Sequence, residues 1–140
     1  MKELWNVVQV AIAALGGFAA WFLGGLDGLI YALIGFVSVD YATGILRAVV
    51  EKKLSSRIGA TGIAKKVATF LLVGVAHIAD TYLLGNGGVL RAAVICFYMT
   101  NESVSLLENA TAIGLPVPEK VKNILIQLHG KNTDKGGGKG

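Results

Sequence analysis

Residues 4–26 read LWNVVQVAIAALGGFAAWFLGGL, and no charged side chain interrupts them. A helix needs roughly 20 apolar residues to cross the hydrocarbon core of a bilayer, so this run predicts a membrane span. A cleaved secretory leader is the competing reading, with Lys2 as its basic start. The apolar part of a leader is shorter, roughly 7–15 residues, and further apolar segments follow here.

Those segments lie at 29–46, 67–84 and 89–107. Gly24, Gly25, Asp27 and Gly28 separate the first pair, and Gly85, Asn86, Gly87 and Gly88 the second. Glycine and Asn/Asp accept the left-handed backbone of a tight reversal, so the four segments read as two helical hairpins. The composition agrees. Of 140 residues 54% are hydrophobic and 16% charged, whereas soluble domains carry about 25% charged residues. The single cysteine, Cys96, excludes an intrachain disulfide.

The net charge of +4 matters less than its placement. Between 47 and 66 lie Arg47, Lys52, Lys53, Arg57, Lys65 and Lys66 against one acid, Glu51. Basic residues are retained on the cytoplasmic side during insertion. A cytoplasmic basic loop at 47–66 puts both hairpin turns outside and both termini inside, with Lys2 and the C-terminal lysines in agreement. Orientation explains these charges without nucleic acid.

The fourth segment is costly to insert, because Asn101 and Glu102 sit mid-span and a central acid costs about 2.5–3.5 kcal/mol. It needs partner helices, and three full spans with a re-entrant or interfacial fourth is the alternative. Beyond Gly114, Pro116 and Pro118 stop one helix and suit the start of another. Val117, Val121, Ile124, Leu125 and Leu128 then recur at helical spacing. The expected architecture is all-α and integral to the membrane: two transmembrane helical hairpins (about four spans) over 1–114, a C-terminal amphipathic helix at 115–130 on the cytoplasmic face, and a disordered basic tail at 131–140.

Polar residues inside a membrane are expensive and point to function or to helix pairing. Asp40, Thr43, Gly44 and Arg47 share one face of the second span. Lys66, Thr69, His77, Asp80 and Thr81 follow one stripe on the third, and Arg91, Tyr98, Glu102, Ser105 and Asn109 one on the fourth, flanked by Asn101 and Glu108. At 1.5 Å per residue, Asp80 and Arg91 fall within roughly 3 Å in depth, and Asp40 and Glu102 both lie about 20 Å from the outer turns. The first depth match predicts a pair; the second puts two acids at one level, able to line a cation path. The residues expected to line a pore or a subunit interface are Asp40, Thr43, His77, Asp80, Arg91, Asn101, Glu102, Ser105 and Glu108. Helix packing is assigned to Gly16, Ala20 and Gly24, a small-residue ridge repeating every fourth position, and to Gly44. Trp5, Trp21 and Tyr31 suit interfacial anchors. No metal-ligand spacing, nucleophile elbow or phosphate loop occurs, so neither catalysis nor a cofactor is expected.

Residues 39–46 (VDYATGIL), 54–59 (LSSRIG) with 62–66 (GIAKK), and 100–109 (TNESVSLLEN) followed by 114–118 (GLPVP) resemble the toxin-secretion/phage-lysis holins of phages of Gram-positive bacteria and of clostridial toxin loci. The likeness covers roughly 27–128 and is specific in the Asn-Glu-x-x-Ser-x-x-Glu-Asn stretch. It implies homo-oligomers in the bacterial cytoplasmic membrane that open lesions, through which an endolysin or a toxin leaves without necessary direct contact. On that resemblance Asp40, Asp80, Asn101, Glu102 and Glu108 are lumen or subunit-interface residues. Met1 is the only methionine ahead of the first span, so a dual-start extension is not evident. A small ion channel or transporter, and a membrane adaptor recruiting a soluble partner through the basic loop, are the other classes the residues allow.

Overall fold

Helix starts and stops in this chain follow local chemistry. In the computed structural model, which describes residues 1–134, Asp27 accepts the amide of Ile30 at 3.1 Å and starts α2 (Gly28–Val50). Ser55 likewise accepts from Ile58 at 3.2 Å and starts α3 (Ser56–Ala79). Such caps satisfy amides that a helix leaves orphaned at its N-terminus. The opposite ends close by left-handed turns. After α1 (Lys2–Phe22), Gly24 has φ +83° and Gly25 donates back to the Ala20 carbonyl at 2.8 Å. Lys52 (φ 56°) performs the same turn after α2, with Lys53 donating to Ala48 at 2.8 Å.

A π-helical turn, Asp80–Leu84, continues α3 to Gly85. After the Gly-rich reversal come α4 (Val89–Ile113) and α5 (Glu119–Asp134). Among the described residues there is no strand. By length and composition α1, α2 and the Ser56–Leu84 helix suffice to cross a membrane. The 25 residues of α4 have the length, but Arg91, Asn101, Glu102, Glu108 and Asn109 dilute its apolar character.

The expected basic loop at 47–66 is mostly helix. Its first residues belong to α2 and everything from Ser56 onward to α3, which leaves 51–55 as the connection. Hydropathy marks where a helix stops being apolar, not where it stops being helical; Lys and Arg are good helix formers, and Ser55 places the real start. The segment expected as a tail, 131–140, overlaps the end of α5, and 135–140 lie outside the described residues.

Helices α2, α3 and α4 form the core, where Ile30, Leu33, Val37, Val73 and Ile95 are buried together. Helix α1 buries no residue. It meets α3 at its end, where the Phe22 ring lies over Gly74 so closely that a Cβ there would overlap it. Trp5, Phe18, Trp21, Leu71, Val75, Tyr82 and Leu83 are exposed, while Asp40, Thr69, Asp80, Arg91, Glu102 and Asn109 are buried. Apolar outside and charged inside is the distribution a bilayer solvent selects.

Candidate functional site: two charged clusters in the helical core

The first cluster ties the α1–α2 turn to the Gly-rich turn before α4. The carboxylate of Asp80 accepts the main-chain amides of Leu90 (3.0 Å) and Arg91 (2.7 Å), capping α4 from across the hairpin. The expected Asp80–Arg91 pair is therefore made through the backbone. The Arg91 guanidinium goes to the α1–α2 turn instead. It donates to Asp27 at 2.7 and 3.2 Å, to the Leu23 carbonyl at 2.5 Å and to the Gly25 carbonyl at 3.1 Å. The Arg91 hydrogen bond holds the Asp27 carboxyl below its usual range, against a smaller opposing effect of burial and with help from the Ile30 amide. Gly24 completes the fit, since a Cβ there would stand 2.6 Å from His77 Nδ1 and 2.8 Å from Arg91 Nε. His77 is half-buried beside this clamp.

The second cluster lies at mid-helix. Lys66 donates from Nζ to Asp40 Oδ2 at 2.7 Å and to Glu102 Oε2 at 2.6 Å. Asn109 donates to Asp40 Oδ1 and to Thr43 Oγ1, each at 3.2 Å, and Thr43 donates to the Asp40 carbonyl at 3.0 Å. Three helices thus contribute one charge each, and Asp40 and Glu102 do share one level. Two carboxylates around one ammonium leave a formal charge of −1 when all three are ionised. Removing charge from water is expensive, and here each carboxylate is offset by the same ammonium.

Beside this cluster a cleft of about 850 Å³ opens between α2, α3 and α4. Asp40, Lys66, Glu102, Asn101 and Ser105 line its depth, and Arg57, Thr61 and Lys65 its wall along α3. The Asn101 Oδ1 atom is buried and has no hydrogen-bond partner. Among the described residues no three His, Cys, Asp or Glu side chains converge as a metal site needs.

Of the residues singled out from sequence, the structure joins Asp40 to Thr43 directly and to Glu102 through Lys66, and sets Asn101 and Ser105 on the same cleft. Asp80 and Arg91 belong to the clamp between the two turns. Glu108 is exposed and stands apart, in a groove between α4 and α5 with Arg47 and Lys122. Gly44 faces the Asn109 amide, at 3.6 Å from where a Cβ would sit, whereas Gly16 meets nothing and Ala20 is half-buried. Three residues outside that set prove central. Lys66 carries the mid-helix cluster, Asn109 braces Asp40, and Asp27 receives Arg91. Lys66 and Asn109 each sit at the end of a polar stripe, which was the available signal; nothing local distinguishes Asp27 from a turn residue.

Residues 17–130 match the bacteriophage holin family. A protein of Listeria innocua described as uncharacterized is 37% identical over 92% of this chain and 91% of its own length. A 14.9 kDa protein from the nagH 3' region of Clostridium perfringens is 36% identical over 94% of this chain and 99% of its own length. A probable holin of Bacillus phage phi105 is 35% identical over 69% of this chain and 71% of its own. No solved structure matches.

Proposed function

The chain belongs to the bacteriophage holin family, and on that premise we propose that it oligomerises in the cytoplasmic membrane and opens lesions through which an endolysin leaves. The observation that carries this reading is a charged interior inside an apolar exterior, with an unpaired buried acceptor, Asn101 Oδ1, beside the Asp40–Lys66–Glu102 cluster. A protein that only needs to sit in lipid gains nothing from such groups.

In this reading α4 is the fourth span, inserted because Lys66 of α3 satisfies Glu102 and Asp40 and Thr43 of α2 satisfy Asn109, and both termini are cytoplasmic. Helix α5 rests on the inner surface through its apolar residues. In the single subunit Lys66 keeps both carboxylates hidden. On assembly α2, α3 and α4 turn Asp40, Thr43, Asn101, Glu102 and Ser105 toward water, and the outer clamp of Asp27, Asp80 and Arg91 keeps the hairpins registered while they move. The role is non-catalytic, and endolysin passes without a dedicated binding site.

The test is induced expression in a bacterium together with an endolysin, following membrane potential and release of a large cytoplasmic enzyme. Lysis that depends on this chain, with timing shifted by Glu102→Gln and by Asp40→Asn, is the expected result. Endolysin release without this chain overturns the function. Depolarisation that retains the cytoplasmic enzyme identifies an ion channel instead. Unchanged timing in both variants removes Asp40 and Glu102 from the lumen.

A further inference from the structure

The inner part of the α2/α3/α4 cleft carries charge that the lesion reading does not use. Arg57, Thr61 and Lys65 follow one another every fourth residue, so they form a ladder along one face of α3, and all three are exposed on the cleft wall. Lys66 is committed to two carboxylates, and Glu51 takes Arg47 at 3.1 Å and Lys53 at 3.8 Å. Among the described residues no ion pair includes Arg57 or Lys65. The cleft wall therefore holds two cations outside these ion pairs, with a hydroxyl between them. Apolar Ile45, Ile58 and Leu72 line the same cleft. Across from the ladder the Tyr41 ring seals α2 against α3, at 3.2 Å from where a Cβ on Gly62 would sit.

Depth identifies the occupant. Counting 17 residues from the Phe22–Gly74 contact reaches Trp5 on α1 and Arg57 on α3, about 25 Å along either helix. Tryptophan prefers the headgroup level, so Arg57 stands at that level too. Lys65 starts about 12 Å deeper and snorkels toward Arg57, so the two cations flank Thr61. Cations and a hydroxyl running inward from headgroup height, with apolar Ile45, Ile58 and Leu72 on the same cleft, match one ligand chemistry: a phosphate ester bearing acyl chains.

We infer that the Arg57–Thr61–Lys65 ladder is a binding site for the headgroup phosphate of an anionic phospholipid of the inner leaflet, phosphatidylglycerol in the first instance. This rests on the reading that 51–55 face the cytoplasm. The bound lipid closes the cleft in the single subunit, and its departure exposes Asn101, Asp40 and Glu102.

The experiment is native mass spectrometry of the full-length protein released from detergent micelles holding equal amounts of phosphatidylglycerol and phosphatidylcholine. One basic residue near a membrane surface contributes roughly a fivefold preference for anionic lipid, so the pair predicts tenfold or more. Arg57→Gln with Lys65→Gln abolishes the preference, Lys120→Gln leaves it, and Arg57→Lys with Lys65→Arg retains most of it and controls for folding. Equal retention of the two lipids by the wild type, or full retention of phosphatidylglycerol by the double glutamine variant, overturns the site. Displacement of the lipid by millimolar inorganic phosphate also overturns it, by showing a free-anion site. The micelle has no sidedness, so these outcomes do not depend on topology. That premise is tested separately, by labelling Lys53→Cys in a Cys96→Ser background from outside the cell.

Discussion

The Lys66 ammonium donates to Glu102 Oε2 across 2.6 Å, joining α3 to α4 between residues 36 positions apart. Asp40 at 2.7 Å draws α2 into the same contact. One side chain therefore fixes the rotation of three helices. Lys66→Met leaves two buried carboxylates facing each other without a counter-charge. Breaking a buried pair by removing one partner costs about 3–5 kcal/mol, and a loss of that size is expected in thermal unfolding of the detergent-solubilised protein. Adding Asp40→Asn and Glu102→Gln to Lys66→Met restores more than half of it.

The Asp80 cap predicts a smaller and more local effect. Asp80→Ala frees the amides of Leu90 and Arg91 and costs about 1 kcal/mol, as loss of a helix cap does. Amide hydrogen exchange at Leu90 and Arg91 is expected to accelerate, with little change around Glu102.

Acid dependence is expected at Asp27, because Arg91 holds its carboxyl below the usual value. A depressed folded-state pKa contributes stability that is present above the unfolded-state value and lost as pH falls through the folded value. Melting temperature should hence be flat near neutrality on account of this group and fall in the acid range below the ordinary carboxylate value. Asp27→Asn keeps the cap on α2, since Asn caps as well as Asp, and removes the charge. Its melting curve lies below the wild type at neutral pH and converges with it in acid. Asp27 is half exposed, so the gap is small and shrinks with salt.

Gly74 is the seat of the Phe22 ring, and α1 touches the rest of the molecule there. Gly74→Ala forces the ring aside, at the roughly 1–3 kcal/mol typical of overpacking. Phe22→Ala added to Gly74→Ala removes the clash. Trp21 emission, one residue from the ring, reports whether the end of α1 has shifted.

Much of this was legible in the chain. An uncharged run at 4–26 and the Gly-rich reversals determine helices, hairpins and a lipid-facing exterior, because hydropathy and turn chemistry are local properties. The equal depth of Asp40 and Glu102 was legible as well, since helical rise converts residue counts into distance. Charge at 47–66 marks where the helices stop being apolar, whereas Ser55 marks where α3 starts, so the connection at 51–55 is shorter than the charged stretch.

Tertiary structure decided the partners. Whether Arg91 points its guanidinium at Asp80 or at Asp27 depends on how α4 is rotated against α1 and α2, and no count along the chain contains that rotation. The same holds for Lys66, which charge counting assigned to topology and packing places between two acids. Sequence determined which groups had to be hidden from lipid; only the packing of α2, α3 and α4 determined what each of them is hidden against, because a buried charge takes the nearest counter-charge in space rather than in sequence.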